Sequence, residues 1–75
     1  MTARYHVVFK KNDEAVEGPE DADVVIRIDA KHADMDPTAA FMAGKLKNEG
    51  STRALFEALW SGEAESVISR LASRS

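Results

Sequence analysis

Four residues that could bind a metal ion lie close together in the sequence. They are Asp29, His32, Asp34 and Asp36, which supply one imidazole and three carboxylates. Zinc sites usually need three or four convergent ligands, often cysteine or histidine at helical or knuckle spacing. Because a connecting segment with a single histidine lacks that geometry, we predict no metal site and no cofactor.

Residues for nucleophilic catalysis show no recognisable arrangement. A reactive serine needs a positioned base and an oxyanion hole, whereas the serines here lie at helix caps and near the C-terminus. The isolated glycines match no phosphate-binding loop. His6 lies on the outward side of an alternating segment, as is typical of a surface imidazole. The sequence therefore predicts no catalytic residue and a protein that is not an enzyme.

The basic residues raise the question of a nucleic-acid partner. Lys45, Lys47 and Arg53 form a cluster, with Phe41 and Trp60 nearby in the sequence. The net charge of the chain is −3, however, and acidic residues concentrate between positions 13 and 36. Nucleic acids and anionic membranes attract basic surfaces. We therefore predict no nucleic-acid partner and interpret the alternating lysines as the solvent face of a strand.

The length of 75 residues allows one hydrophobic core, so we predict a single domain over residues 1–75. The chain has no cysteine, which is compatible with a reducing compartment. Its N-terminus lacks the pattern of a signal peptide. No apolar run approaches the roughly 20 residues that cross a bilayer. We expect a soluble, cytoplasmic protein without a transmembrane segment.

Alternation with period two indicates the strands. Residues 5–10 and 22–29 combine β-branched residues with this alternation and predict the two best strands. A weak edge strand is expected around residues 15–16, and a short strand at residues 45–47. The segment from residue 30 to residue 35 has no period and is interpreted as a connection.

Capping residues and apolar spacing indicate the helices. Asp36 followed by Pro37 predicts the start of a short helix that continues to residue 42. Ser51 is expected to cap a helix over residues 53–60, and the apolar spacing of residues 63–73 predicts a last helix. The order of elements predicts an α+β fold, with about three helices packed on one face of a small, mostly antiparallel sheet of three to four strands.

Two segments of the sequence resemble the signature of the sterol carrier protein type 2 family. They are the strand ADVVIRI at residues 22–28 and the run DPTAAFMAGKLKNEG at residues 36–50. The resemblance extends over roughly residues 5–60. It implies a layer of helices over a sheet, enclosing an apolar tunnel for fatty acyl chains, sterols or other hydrophobic molecules. It implies no catalytic residue.

The same resemblance suggests which residues contact such a ligand. Residues 41–46 fall in the motif that helps to line the tunnel, and residues 55–59 fall in the helix that closes it. An ordinary hydrophobic core would account for the same apolar residues. The predicted ligand-binding residues are Phe41, Met42, Leu46, Leu55, Phe56, Leu59 and Trp60.

The size of the chain limits the form of the site. Family domains are longer at the N-terminus, so the resemblance implies a shortened domain. An empty pocket of about 300 Å³ would lower the stability by roughly 7 kcal/mol at about 24 cal/mol per Å³. That exceeds the about 3–5 kcal/mol expected of so small a domain. We therefore expect an open groove, a cavity completed by a second copy, or a filled core without a ligand, rather than a closed tunnel.

Two functions follow from the sequence as alternatives. One is the binding of a small hydrophobic molecule, a fatty acyl or sterol-like lipid, in a groove or in a cavity that a homodimer completes. The other is a protein-interaction or dimerisation module that has lost the tunnel and uses an exposed strand edge and its last helix.

Overall fold

The computed structural model describes residues 1–73, in which strands and helices follow one another as the sequence predicts. A 3₁₀ turn, Ala30–His32, follows the third strand. The strands are β1 (Ala3–Lys10), β2 (Asp13–Glu17), β3 (Val24–Asp29) and β4 (Leu46–Gly50), and the helices are α1 (Pro37–Met42), α2 (Thr52–Ser61) and α3 (Glu63–Ala72).

The four strands form one mixed sheet in the order β2-β1-β3-β4. The pairs β1–β2 and β3–β4 are antiparallel, whereas β1 and β3 run parallel at the centre. The parallel pair arises because the chain, after the β1–β2 hairpin, returns on the opposite side of β1. The predicted α+β class, with a mostly antiparallel sheet, is confirmed, and β2 is an edge strand as expected.

Strand β4 is longer than its sequence pattern predicts. The pattern places a strand at residues 45–47 only, but pairing continues to Gly50, which lies opposite Val24. Asn48 lies opposite Ile26 in the same ladder. The extension comes from backbone pairing with β3, which the side chains of residues 48–50 do not indicate.

The core lies between the sheet and the three helices. Alternate residues of β1 and β3 are buried, as the period-two pattern predicts. Helix α3 packs on β1 and β2, α2 packs on β3 and β1, and α1 packs on β4. The largest fully buried side chains are Val7, Val24, Ile26, Ile28, Leu55 and Ile68.

The predicted helix caps are present. Asp36 Oδ2 accepts a hydrogen bond from the Ala39 N–H at 3.2 Å, and Ser51 Oγ accepts one from the Ala54 N–H at 3.2 Å. These bonds satisfy amides that the first turn of a helix leaves free. They fix where α1 and α2 begin, and therefore which of their side chains face outward.

Candidate functional site

Three aromatic rings form a row across α1 and α2. The ring of Phe41 meets that of Phe56 edge to face, with centroids 6.0 Å apart and planes at 87°. Phe56 stacks on Trp60 with centroids 5.5 Å apart and planes at 18°. Phe56 and Trp60 are four residues apart on α2 and so lie on the same side of that helix. Together with Met42, the residue after Phe41, we call these residues the aromatic surface.

Two residues of the aromatic surface are largely exposed to solvent. Met42 is 80% exposed and Trp60 is 79% exposed, although both are large and apolar. Phe41 and Phe56 between them are half-buried. Contiguous apolar groups that water can reach mark sites of interaction more often than isolated ones do. This surface is therefore the candidate ligand site.

The leucines predicted to contact a ligand lie deeper than the rings. Leu46 is 3% exposed and Leu55 is 0% exposed, and both belong to the core. Leu59 is half-buried and packs against that core. The structure thus separates the seven predicted residues into an outer group of four and a layer of three leucines beneath or beside it.

Several depressions on the surface are open to solvent rather than enclosed. Four of them have volumes of about 230 to 360 Å³. None of these four is lined by any of the seven predicted ligand-binding residues. A ligand at the aromatic surface would therefore lie against the rings rather than enter one of these depressions.

A depression of about 310 Å³ brings together basic residues that are distant in the sequence. Its lining includes Arg27, Lys31, Lys45 and Lys47. The sequence grouped Lys45 and Lys47 with Arg53, which does not line the depression. The sequence signal for this depression is the presence of basic residues near the ends of predicted strands. The sheet topology brings these strand ends together. We call this site the basic depression.

The residues considered for metal binding do not form a cluster. Within residues 1–73, no group of three or more histidine, cysteine, aspartate or glutamate side chains could hold a metal ion. Asp36 caps α1, and Asp29 and His32 line the basic depression.

His6 has a partner on the uncovered face of the sheet. Its Nδ1 lies 2.8 Å from Glu14 Oε1, and Arg27 Nη1 lies 3.6 Å from Glu14 Oε2. The hydrogen bond to His6, and secondarily the charge of Arg27, lower the pKa of the Glu14 carboxyl. The three groups link β2 to β1 and β3 across this face.

Comparison with known proteins gives one informative result. No protein-family model matches the chain, and no curated protein sequence matches it at the significance required of a relative. Among solved structures, sterol carrier protein 2 from Yarrowia lipolytica, in its apo form, matches with a TM-score of 0.55 and 19% sequence identity. The match covers 97% of this chain and 70% of that chain.

This chain has the sterol carrier protein 2 fold. The resemblance seen in residues 22–28 and 36–50 is thereby confirmed at the level of the fold. Within the sterol carrier protein 2 fold, this chain places a row of three aromatic rings on α1 and α2, of which Trp60 is exposed, and it buries Leu46 and Leu55 in the core. No helix within the described residues has the length and apolar composition to cross a membrane.

Proposed function

We propose that the chain binds small hydrophobic molecules of the fatty acyl or sterol-like class, without catalysis, at the aromatic surface. The observation that carries the proposal is the row of stacked rings, ending in a largely exposed tryptophan, on a sterol carrier protein 2 fold. Covering such a surface removes apolar area from water, which favours binding by roughly 25 cal/mol per Å².

The depth of the leucines favours a groove over a tunnel. Because Leu46 and Leu55 are already buried, a ligand that contacted them would remove little further apolar area from water. An acyl chain lying along Phe41, Phe56 and Trp60 would instead cover the parts of these rings that remain exposed to water, above all on Trp60. Each fully buried CH₂ group contributes about 0.8 kcal/mol, and a chain covered on one side gains less. We therefore expect moderate affinity, with Leu46, Leu55 and Leu59 contributing to the core rather than to most of the ligand contact.

The single tryptophan makes this proposal directly measurable. Trp60 is the only tryptophan in the chain, so its emission reports on the aromatic surface alone. Titration with palmitate below its micelle concentration should shift the emission to shorter wavelength and reach saturation. An absence of saturable change up to high micromolar palmitate would contradict the proposal.

Matched variants locate the site. Met42→Gln replaces an exposed apolar side chain on α1 with one of good helix propensity, and it should weaken palmitate binding without lowering stability. Val16→Thr changes an exposed apolar residue of β2, far from α1 in the sheet order, and should leave binding unchanged. Equal effects of the two variants would show that binding is not at the aromatic surface.

A homodimer is the second candidate, because the exposure of Met42 and Trp60 suits a protein interface equally well. Two copies could cover each other's aromatic surfaces, either around a lipid or without one. Sedimentation equilibrium of the wild type and of Trp60→Gln separates these cases. A dimer that Trp60→Gln dissociates, with no saturable palmitate signal, would favour the interaction module over the carrier.

A cytoplasmic location, compatible with the cysteine-free sequence, completes the proposal.

A further inference from the structure

Positive charge gathers at one end of the sheet, although the net charge of the chain is −3. β1 and β3 are parallel, so their last residues, Lys10 and Asp29, lie at the same end. β4 runs antiparallel to β3, and therefore begins at that end, directly after Lys45. Six of the ten lysines and arginines belong to this region: Lys10, Lys11, Arg27, Lys31, Lys45 and Lys47.

The basic depression lies within this region. Arg27, Lys31, Lys45 and Lys47 line it, and Asp29 is its one carboxylate. Lys31 also lines a neighbouring depression of about 280 Å³, together with Lys10 and Lys11. Cations therefore surround a concave surface from β3, from the 3₁₀ turn after it and from the start of β4.

These cations are poorly compensated by the protein. Arg27 and Lys47 lie directly opposite each other in the β3–β4 ladder, an arrangement of like charges that disfavours pairing. Arg27 has Glu14 at 3.6 Å. Among the described residues, Lys31, Lys45 and Lys47 form no ion pair. An anion in the depression would relieve the repulsion that this arrangement creates.

We propose that the basic depression binds a phosphate monoester, with Lys31, Lys45 and Lys47 as the main contacts and Arg27 beside them. A phosphate monoester carries nearly two negative charges at neutral pH and accepts several charge-assisted hydrogen bonds. A volume of about 310 Å³ holds the phosphate and a small organic group attached to it. The inference is independent of the proposed function, because no residue of the aromatic surface lines this depression.

The test is a titration of the ¹⁵N-labelled full chain with glycerol 3-phosphate at constant ionic strength, followed by NMR. The amide signals of Lys31, Gly44, Lys45 and Lys47 should shift and reach saturation. Lys45→Gln and Lys47→Gln should each weaken binding by roughly threefold to tenfold, because each removes one charge-assisted contact. Asp29→Asn, which removes the opposing carboxylate, should strengthen binding by roughly threefold.

Arg53→Gln is the matched control, since Arg53 is an exposed cation of α2 outside the depression. It should leave the affinity unchanged. Equal weakening by Arg53→Gln and Lys47→Gln would overturn the proposal, as would shifts that grow linearly and never saturate. Far-ultraviolet circular dichroism checks that each exposed variant remains folded.

A second experiment identifies whether the phosphate belongs to a free molecule or to a lipid headgroup. Vesicles of phosphatidylcholine containing phosphatidic acid present the same monoester as a lipid headgroup. Cosedimentation that Lys47→Gln abolishes and Arg53→Gln does not, without binding of glycerol 3-phosphate, would assign the site to a headgroup. Binding of neither form would refute the proposal. Met42→Gln, which should weaken palmitate binding, should leave both phosphate measurements unchanged, so that the two proposals fail separately.

Discussion

Tyr5 connects the centre of the sheet to the start of α3 through its side chain. The ring is 2% exposed, and its hydroxyl donates a hydrogen bond to Glu63 Oε2 at 2.8 Å. Burial raises the pKa of the phenol well above its ordinary value of 10.0, and the hydrogen bond to Glu63 raises it further. The folded state therefore favours the neutral phenol more strongly than the unfolded chain does.

Tyr5→Phe should remove this hydrogen bond and keep the packing of the ring. We expect a loss of about 1 kcal/mol in the free energy of unfolding near neutral pH, because the exposed carboxylate of Glu63 can bind water instead. Urea denaturation followed by circular dichroism measures the loss. A variant as stable as the wild type would show that the bond contributes nothing net.

The pH dependence of stability distinguishes the same two proteins. Because the pKa of Tyr5 is higher in the folded state, its contribution is complete below pH 10.0 and declines as the pH rises above that value. Between about pH 10 and about pH 12, the wild type should lose more stability than Tyr5→Phe. Parallel curves for the two proteins would contradict the assignment of the shift to Tyr5.

At the scale of the element, one glycine precedes β4 and another ends it, and the two differ in what surrounds them. Gly44 has φ 76°, and no atom lies within 4 Å of the position that a Cβ would take. Its N–H donates to the Phe41 carbonyl at 3.2 Å, and the Lys45 N–H donates to the Ala40 carbonyl at 2.8 Å. These bonds end α1 in the Schellman arrangement and aim the chain into β4.

Gly50 is more restricted than Gly44. Its φ is 109°, and a Cβ would lie 2.4 Å from the Asp23 carbonyl oxygen, which belongs to the backbone and cannot move aside alone. Gly44→Ala should cost about 1 kcal/mol of stability through backbone strain. Gly50→Ala should cost roughly 3 kcal/mol or more, since strain and a backbone clash combine. Urea denaturation measures both, and equal losses would contradict the close approach at Gly50.

An ion pair holds α3 to the edge strand β2. Arg70 Nη1 and Nη2 donate to Glu17 Oε1 and Oε2, each at 2.6 Å. The hydrogen bonds from Arg70 lower the pKa of Glu17, and those to Glu17 raise the pKa of Arg70. Both side chains are exposed to solvent, so salt should screen the pair.

Arg70→Gln should therefore lower the melting temperature slightly at low salt, and the difference from the wild type should vanish at about 1 M NaCl. Glu17→Gln should behave in the same way, and the double variant should lose no more than either single one. Arg53→Gln, a change at an exposed cation without an ion pair among residues 1–73, is the control. A salt-independent loss in Arg70→Gln would contradict the screening argument.

The elements that sequence predicts well are those whose signals are local. Asp36 and Ser51 mark helix starts through bonds to amides three residues later, and the alternation in β3 reflects burial on one side. The extension of β4 and the parallel pairing of β1 with β3 depend on distant partners and have no local signature. The antiparallel pairing of β4 with β3 is likewise a contact between distant segments, and it brings Lys45 and Lys31 together in the lining of the basic depression.

The sequence also does not predict how deeply individual apolar residues are buried. Leu55 and Phe56 are neighbours of similar hydrophobicity, yet Leu55 is fully buried and Phe56 stacks on Trp60 near the surface. Helix α2 packs on β3 and β1, so the burial of its residues depends on strands that lie far away in the chain. The sequence therefore identifies the apolar residues, but it does not show which of them belong to the core and which lie at the surface.

At the scale of the whole molecule, two proposed ligand surfaces meet at the turn between α1 and β4. Phe41 and Met42 end α1, Gly44 lies in the turn and Lys45 follows it. No residue is shared by the aromatic surface and the lining of the basic depression. Two ligands that bind the folded chain independently should each add their own binding free energy to its stability.

This independence predicts additive stabilisation by palmitate and glycerol 3-phosphate. A ligand at ten times its dissociation constant stabilises the folded state by about 1.4 kcal/mol, which for a domain of this size raises the melting temperature by about 6 to 11 °C. Together the two ligands should give about twice the gain in free energy of either alone. Thermal unfolding by circular dichroism measures each condition. If each ligand stabilises the chain alone but the pair together gives only about 1.8 kcal/mol, the two compete for one site and their independence is contradicted.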